Sequence, residues 1–219
     1  CPWDREQTYE SLLPYLLEES YEYIQAVRED DPDHMYDELG DVLLQVVFHA
    51  EIGRQHGDFD ILDVTTAICH KMMERHSHIF GGASADTPEE VAQNWEAIKR
   101  RQRGITTAQQ AMRDVSKGLS PTMRAGKVQQ KAARAGYVFP EAEDALQAVR
   151  NAAVKVGETM NRKRDPEKAL GEMLFDAVNV TRLCGKSADI ALNEATDRFI
   201  DRFSTAETAT NAAKNAPNT

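Results

Sequence analysis

Nowhere in these 219 residues do eighteen apolar side chains follow one another, so no transmembrane helix is expected. Cysteine is nearly missing. Cys1, Cys69 and Cys184 are odd in number and far apart, which makes neither a disulfide framework nor a zinc motif and suits a reducing cytoplasm. Net positive charge is lacking as well: a formal charge of −10 argues against sequence-independent binding to nucleic acid or to an anionic membrane. Alternating apolar–polar runs of the kind strands require are absent too. The length allows one large or two small domains with a core of ordinary size. The chain opens at Cys1 rather than Met, which points to a segment upstream of it and not to a mature secreted end.

Helical periodicity is what the sequence does contain. Ser11 reads as an N-cap with Pro14 in the first turn, opening a helix that runs to about 28 with Leu13, Leu16, Leu17, Ile24 and Val27 on its core side. A turn at 29–33 leads to a second helix, about 35–56, which is apolar almost all round between Val42 and Ala50. That pattern implies burial on several sides, as in a bundle or a dimer core. Gly57 ends it, and Asp60 with Asp63 opens a third helix reaching the R-H-S-H-I-F stretch. Thr87 and Pro88 start another through Trp95 to about 103. Residues 105–118 read as a polar connector, the helical pattern resumes at 119, and the Ala/Thr/Asn-rich tail from 206 to 219 is expected to be disordered. The fold class is all-α.

Four acids stand out within these helices. Glu19 with Glu22 and Glu38 with Asp41 form two i,i+3 pairs in apolar surroundings, each pair on one helical face. Four like charges at a helix–helix interface repel and are costly to desolvate; a hard divalent cation removes that objection. Carboxylates without thiolates favour Mg²⁺, or Mn²⁺, over zinc. The alternative is a solvated charged face, which the apolar context disfavours.

An internal repeat is also legible. E-L-G-D-V-L-L-Q-V-V aligns with A-L-G-E-M-L-F-D-A-V, each after an Asp-Pro turn and a helix of matching length. Glu19, Glu22, Glu38 and Asp41 fall opposite Ala152, Lys155, Ala169 and Glu172, so the second copy keeps the packing pattern and loses three of four acids.

The segments C-P-W-D-R-E-Q-T, P-Y-L-L-E-E-S-Y-E, G-D-V-L-L-Q-V-V-F-H-A, R-H-S-H-I-F and N-W-E-A-I-K, in that order, resemble the MazG family of nucleoside triphosphate pyrophosphohydrolases. The family's E-E-x-x-E…E-x-x-D signature stands here as Glu18, Glu19, Glu22, Glu38 and Asp41. A lone E-x-x-E carries little information, whereas the full ordered set is specific. The resemblance implies two tandem MazG-like helical-bundle domains, 1–104 and 119–205, with a dimeric four-helix-bundle-type core. It also implies Mg²⁺-dependent hydrolysis of nucleoside triphosphates to the monophosphate and pyrophosphate. Some two-domain relatives work mainly through their second domain; here the lost acids place activity in the first.

The same resemblance assigns roles. Glu19, Glu22, Glu38 and Asp41 would hold the metal, and Glu18 or Glu19 would serve as general base. Lys71 and Arg75 are an i,i+4 pair suited either to a solvated basic edge or to a phosphate clamp, and their family counterparts lie near nucleotide phosphates. Tyr15 and residues His34 to Asp37 resemble nucleotide-contacting positions. Trp95 is a core indole or a base-stacking one. His49 lies on the helical stripe of Glu38 and Asp41 and reads as a core or dimer-interface residue before a metal-site one. His76 and His78, two apart, fall on different faces of a continuous helix, which argues against zinc. The competing functions are a dUTP- or dCTP-selective pyrophosphatase and a regulatory protein-interaction module with little turnover.

Overall fold

The computed structural model describes residues 1–82, 84–139 and 141–214, with side chains followed as far as 204. Among them are eleven helices and no strand. The chain divides into two units, Cys1–Lys99 and Arg100–Thr219.

The first unit is built on a helical hairpin. After a short α1 (Pro2–Arg5), α2 (Tyr9–Glu29) and α3 (Pro32–His56) pack against each other, joined at Asp30, whose φ of 55° reverses the chain. The cap of α2 is Thr8, not Ser11. Thr8 accepts from the Ser11 N–H at 3.1 Å while the Ser11 hydroxyl accepts from the Thr8 N–H at 2.9 Å, a reciprocal capping box. The helix therefore starts earlier than expected, and Pro14 lies inside it, beyond its first turn. At the head of α3, Asp31 caps the N–H groups of Asp33 and His34, with Pro32 in the first turn where its missing N–H costs nothing. Gly57 closes α3 in the left-handed region at φ 77°.

The buried stripe of α2 runs through Leu12, Leu16, Glu19, Tyr23 and Ala26, and that of α3 through Met35, Glu38, Val42, Gln45, His49 and Ile52. Both follow alternating three- and four-residue steps, the spacing of one helical face. Leu13, Leu17, Ile24 and Val27, expected inside, are exposed; the stripe containing Leu12 and Ala26 faces inward instead. The apolar run of α3 is likewise not covered on several sides within the protomer. Leu43, Leu44, Val46 and Val47 are exposed, while polar Gln45 is buried. Phe48 meets Trp3 of α1 edge to face at 6.3 Å, and Trp3 also meets Tyr15 at 5.8 Å.

At the other end of the hairpin, Tyr9 stacks on His49 and lies against His56 and Phe59. A Cβ at Gly53 would stand 2.8 Å from the Phe59 carbonyl oxygen, so only glycine lets this close approach happen. Helix α4 (Ile61–Arg75) opens with an Asp60/Asp63 capping box. It stops at His76 instead of continuing; α5 (Ser77–Phe80) is separate, and α6 (Pro88–Gln102) follows.

In the second unit, α7 (Ala108–Arg113) occupies the stretch expected to be a bare connector. Thr107 and Gln110 cap it reciprocally. Ala111 and Val115 are buried, enough apolar surface to seat α7 on α8 (Pro121–Arg134). A second hairpin, α9 (Ala142–Asn161) and α10 (Glu167–Leu183), packs with α8. There, fully buried Gln129 donates to the Phe175 carbonyl at 2.8 Å. Helix α11 (Ala188–Lys214) is tied to the start of α8 by Ser120 and Thr122, which both donate to Asp189 Oδ1. The segment expected to be disordered from 206 is helical to Lys214, and 215–219 lie outside the described residues.

Candidate metal centre

The two stripes of the α2–α3 hairpin each carry an acid where an apolar residue would ordinarily pack. Glu19 on α2 and Glu38 on α3 are half-buried, and Asp41, one turn past Glu38, is exposed at the edge of the seam. One carboxylate oxygen from each of the three lies within 4.8 Å of the others. Burial first, and then the charges of Asp41, Glu22, Glu38 and Glu18, push the Glu19 carboxyl above its ordinary value. Such an upward shift is what burial beside like charges produces.

Glu38 stands out by its surroundings. Its side chain is only 14% exposed, and His34 Nε2 stands 3.0 Å from Oε1. Oε2 is buried without a hydrogen-bond partner, an uncommon condition for a carboxylate oxygen. Three convergent oxygen donors with one orphaned buried oxygen fit a small hard cation such as Mg²⁺ or Mn²⁺, which takes oxygen ligands and keeps waters in its remaining positions.

The other residues singled out from sequence lie along the chain from α2 to α6. Glu22 is exposed on α2 and outside the three-acid group, and Glu18 is exposed beside Glu19; both act on Glu19 through charge. Tyr15 packs against Trp3. His49 is held in the Tyr9 stack, with rings 5.8 Å apart and nearly parallel, and its Nε2 is buried without a hydrogen-bond partner. On α4, Lys71 is exposed, and one turn later the Arg75 guanidinium lies 5.7 Å over the Trp95 ring. His76 meets the same indole edge to face at 5.2 Å, so Trp95 is half-buried between two side chains. Because the helix breaks at His76, the His76 and His78 rings come within 5.6 Å; the different-faces argument does not apply to them.

Sequence reasoning missed the contact of His34 with Glu38, although the i,i+4 spacing was visible. It also missed Tyr9, whose hydroxyl is buried without a hydrogen-bond partner beside His49.

Comparison with known proteins connects this arrangement to a family. Residues 7–80, which contain α2, α3 and all of the acids named above, match the model of the MazG nucleotide pyrophosphohydrolase domain. A protein of Escherichia coli (strain K12) named nucleoside triphosphate pyrophosphohydrolase is 36% identical over 214 residues, covering 93% of this chain and 79% of its own. A Thermotoga maritima protein named nucleoside triphosphate pyrophosphohydrolase/pyrophosphatase MazG is 37% identical over 203 residues, covering 93% of this chain and 77% of its own. A nucleoside triphosphate pyrophosphohydrolase of Mycobacterium tuberculosis is 32% identical over 192 residues, or 87% and 55% of the two chains. With similarity that extends through both helical units and a domain match centred on the acid-bearing hairpin, the chain belongs to the MazG family of nucleotide pyrophosphohydrolases.

Proposed function

We propose that this chain hydrolyses nucleoside triphosphates, ribo- and deoxyribo-, to the monophosphate and pyrophosphate, and that the chemistry belongs to the first unit. The observation that carries the reading is the convergence of Glu19, Glu38 and Asp41 within 4.8 Å in a helix seam, with Glu38 Oε2 left buried and unpartnered. Glu22 completes the ligand set from the next turn of α2. A divalent ion bound there, Mg²⁺ by preference and Mn²⁺ as a substitute, supplies neutralisation of phosphate charge and acidification of a bound water.

The chain's own side chains do the rest. Glu18, exposed next to Glu19, takes the proton of the attacking water, or Glu19 does so through an oxygen not engaged elsewhere. Lys71 and Arg75, one turn apart on α4, bind the phosphates. The Trp95 ring beneath Arg75 restrains the guanidinium, which suits a clamp that holds two phosphate oxygens at once. Trp95 thus serves the phosphate end of the site more readily than base stacking, and Tyr15 is left as a nucleotide-contacting candidate.

The second unit is read as a second MazG-like domain that lost its chemistry. In the alignment of the two copies, buried Ala152 and exposed Lys155 of α9 stand at the positions of Glu19 and Glu22. Among the described residues, the group of Glu19, Glu38 and Asp41 is the one cluster of three potential ligands found.

Pyrophosphate release from a panel of NTPs and dNTPs, with and without Mg²⁺, tests the activity. Turnover that requires the metal and disappears in Asp41→Asn supports the reading. Turnover that survives both chelation and Asp41→Asn would sink it.

A further inference from the structure

We propose that His34 is a positioning residue for Glu38: its Nε2–H holds Oε1 of the carboxylate and thereby fixes Oε2 as the oxygen presented to a cation. This rests on the metal reading of the three-acid group and adds to it a residue that acts on the ion through Glu38.

Three observations lead here. First, the backbone that carries the imidazole is held in place. His34 lies in the first turn of α3, where its backbone N–H donates to the Asp31 cap at 3.2 Å, so the turn that projects the ring is pinned. Second, the ring spans the hairpin. Nε2 is 3.0 Å from Glu38 Oε1, four residues on in α3, and Nδ1 is 3.5 Å from Oε2 of Glu29, the last residue of α2. The ring therefore lies between an acid of each helix. Third, the two Glu38 oxygens are treated differently. Oε1 has the imidazole Nε2 at 3.0 Å, whereas Oε2 is buried without a hydrogen-bond partner.

A glutamate side chain has three torsions, and an unrestrained carboxylate would sample both of its oxygens and several directions. Donating to one oxygen from a pinned ring removes that freedom before the ion arrives. It also keeps the ligand set from reorganising when the ion is bound. Hydrogen bonds to ligating carboxylates generally work this way, and losing one lowers metal affinity by about 10–100-fold.

The test uses the full chain and Mn²⁺ as probe, with free Mn²⁺ read by electron paramagnetic resonance and helix content by circular dichroism. His34→Phe keeps a ring but no donor, and should weaken Mn²⁺ binding by about tenfold or more. His34→Gln restores an N–H and should recover most of the affinity. In the pyrophosphate assay, His34→Phe should need about tenfold more Mg²⁺ for half-maximal rate and reach a near-native kcat at saturating metal. If His34→Phe loses its helix content, His34→Ala decides in its place.

The failures are distinguishable. Native-like Mn²⁺ affinity in His34→Phe, with binding abolished in Glu38→Gln, overturns the role of His34 and leaves the metal site standing. An unchanged Mg²⁺ requirement with a lowered kcat at saturation also overturns it, because His34 would then act on the nucleotide. If Glu38→Gln binds Mn²⁺ as the native chain does, the metal reading itself falls and the proposal falls with it.

Discussion

At the scale of single residues, the carboxylates of this chain divide by what stands beside them. Glu51 accepts from Arg54 and Gln55 on its own helix, which lower its carboxyl to about 2; Glu19 has burial and four acids, which raise it. The consequence for stability has a definite sign. Below about pH 4.5, the ordinary value, Glu19 is protonated in both folded and unfolded chains and costs nothing. As pH rises through that value the unfolded carboxyl ionises first, so folding loses stability until the raised folded value is passed, and the deficit then stays constant. Glu19→Gln should therefore melt higher than the native metal-free chain at pH 7, by about 2–4 °C for each kcal/mol relieved in a protein of this size. The two should converge near pH 4, and Mn²⁺ should stabilise the native chain alone. Equal melting at pH 7 without metal would remove the electrostatic strain inferred here. For catalysis, Glu38→Ala and Asp41→Ala should each lower pyrophosphate release by more than the about 10–100-fold typical of outer contacts, with helix content unchanged. Near-native rates in either would show that the acid is not a ligand. The acids were legible in the sequence because charge embedded in an apolar helical pattern is conspicuous. The orphaned oxygen of Glu38 was not, because hydrogen-bond satisfaction depends on rotamers that spacing does not specify.

Among the elements, the hairpin of α2 and α3 is the part that matters for the site, and the sequence disclosed its existence better than its rotation. The turn at 29–33, Gly57, and Asp60 with Asp63 announced the helix ends, since caps and turns are local chemistry. Which face turned inward was harder to read. Leu13 and Leu12 are adjacent leucines, and only packing against α3 selects Leu12 for burial. The same ambiguity hid Gln45, buried within an apolar run in which Leu43, Leu44, Val46 and Val47 are exposed. Helix α7 went unread because two small or β-branched residues, Ala111 and Val115, make too short a stripe to register as periodicity. Gly53 gives a test of how the hairpin is closed. A methyl group there would meet the Phe59 carbonyl and ring at under 3.0 Å, and the rigid backbone atom cannot swing aside as a side-chain tip can. Gly53→Ala should cost about 1–3 kcal/mol, as overpacking does, although alanine is the better helix former. Urea unfolding measures it. A stabilised variant would mean that the Phe59 loop relaxes freely.

For the whole molecule, the open question is what covers the apolar surface that the first unit leaves exposed. Leu13, Leu17, Tyr21 and Ile24 on α2, and Leu39, Leu43, Leu44 and Val47 on α3, are all exposed in the protomer. Scattered apolar residues on a surface need no explanation, but so many on two adjoining helices form a patch of the kind that marks an interface. Phe48 is half-buried, with Trp3 of its own chain edge to face against it. A second copy of the hairpin is the occupant the family resemblance implies, and two hairpins face to face give a four-helix core. Leu43, 61% exposed and two residues from Asp41, is the best probe. Burying apolar surface contributes about 25 cal/mol per Å² before association costs, and a glutamate in such a contact would be desolvated without a partner. If this face pairs two copies, Leu43→Glu should shift the chain from dimer to monomer in light scattering and lower turnover with it, because such an interface would lie beside Asp41. Lys155→Ala, exposed in the second unit, serves as the control. It should leave both mass and activity at native values, and a large loss there would mean that the second unit takes part in catalysis. A native chain that is monomeric and fully active at assay concentration would rule out the dimer and leave the exposed hairpin face for another partner.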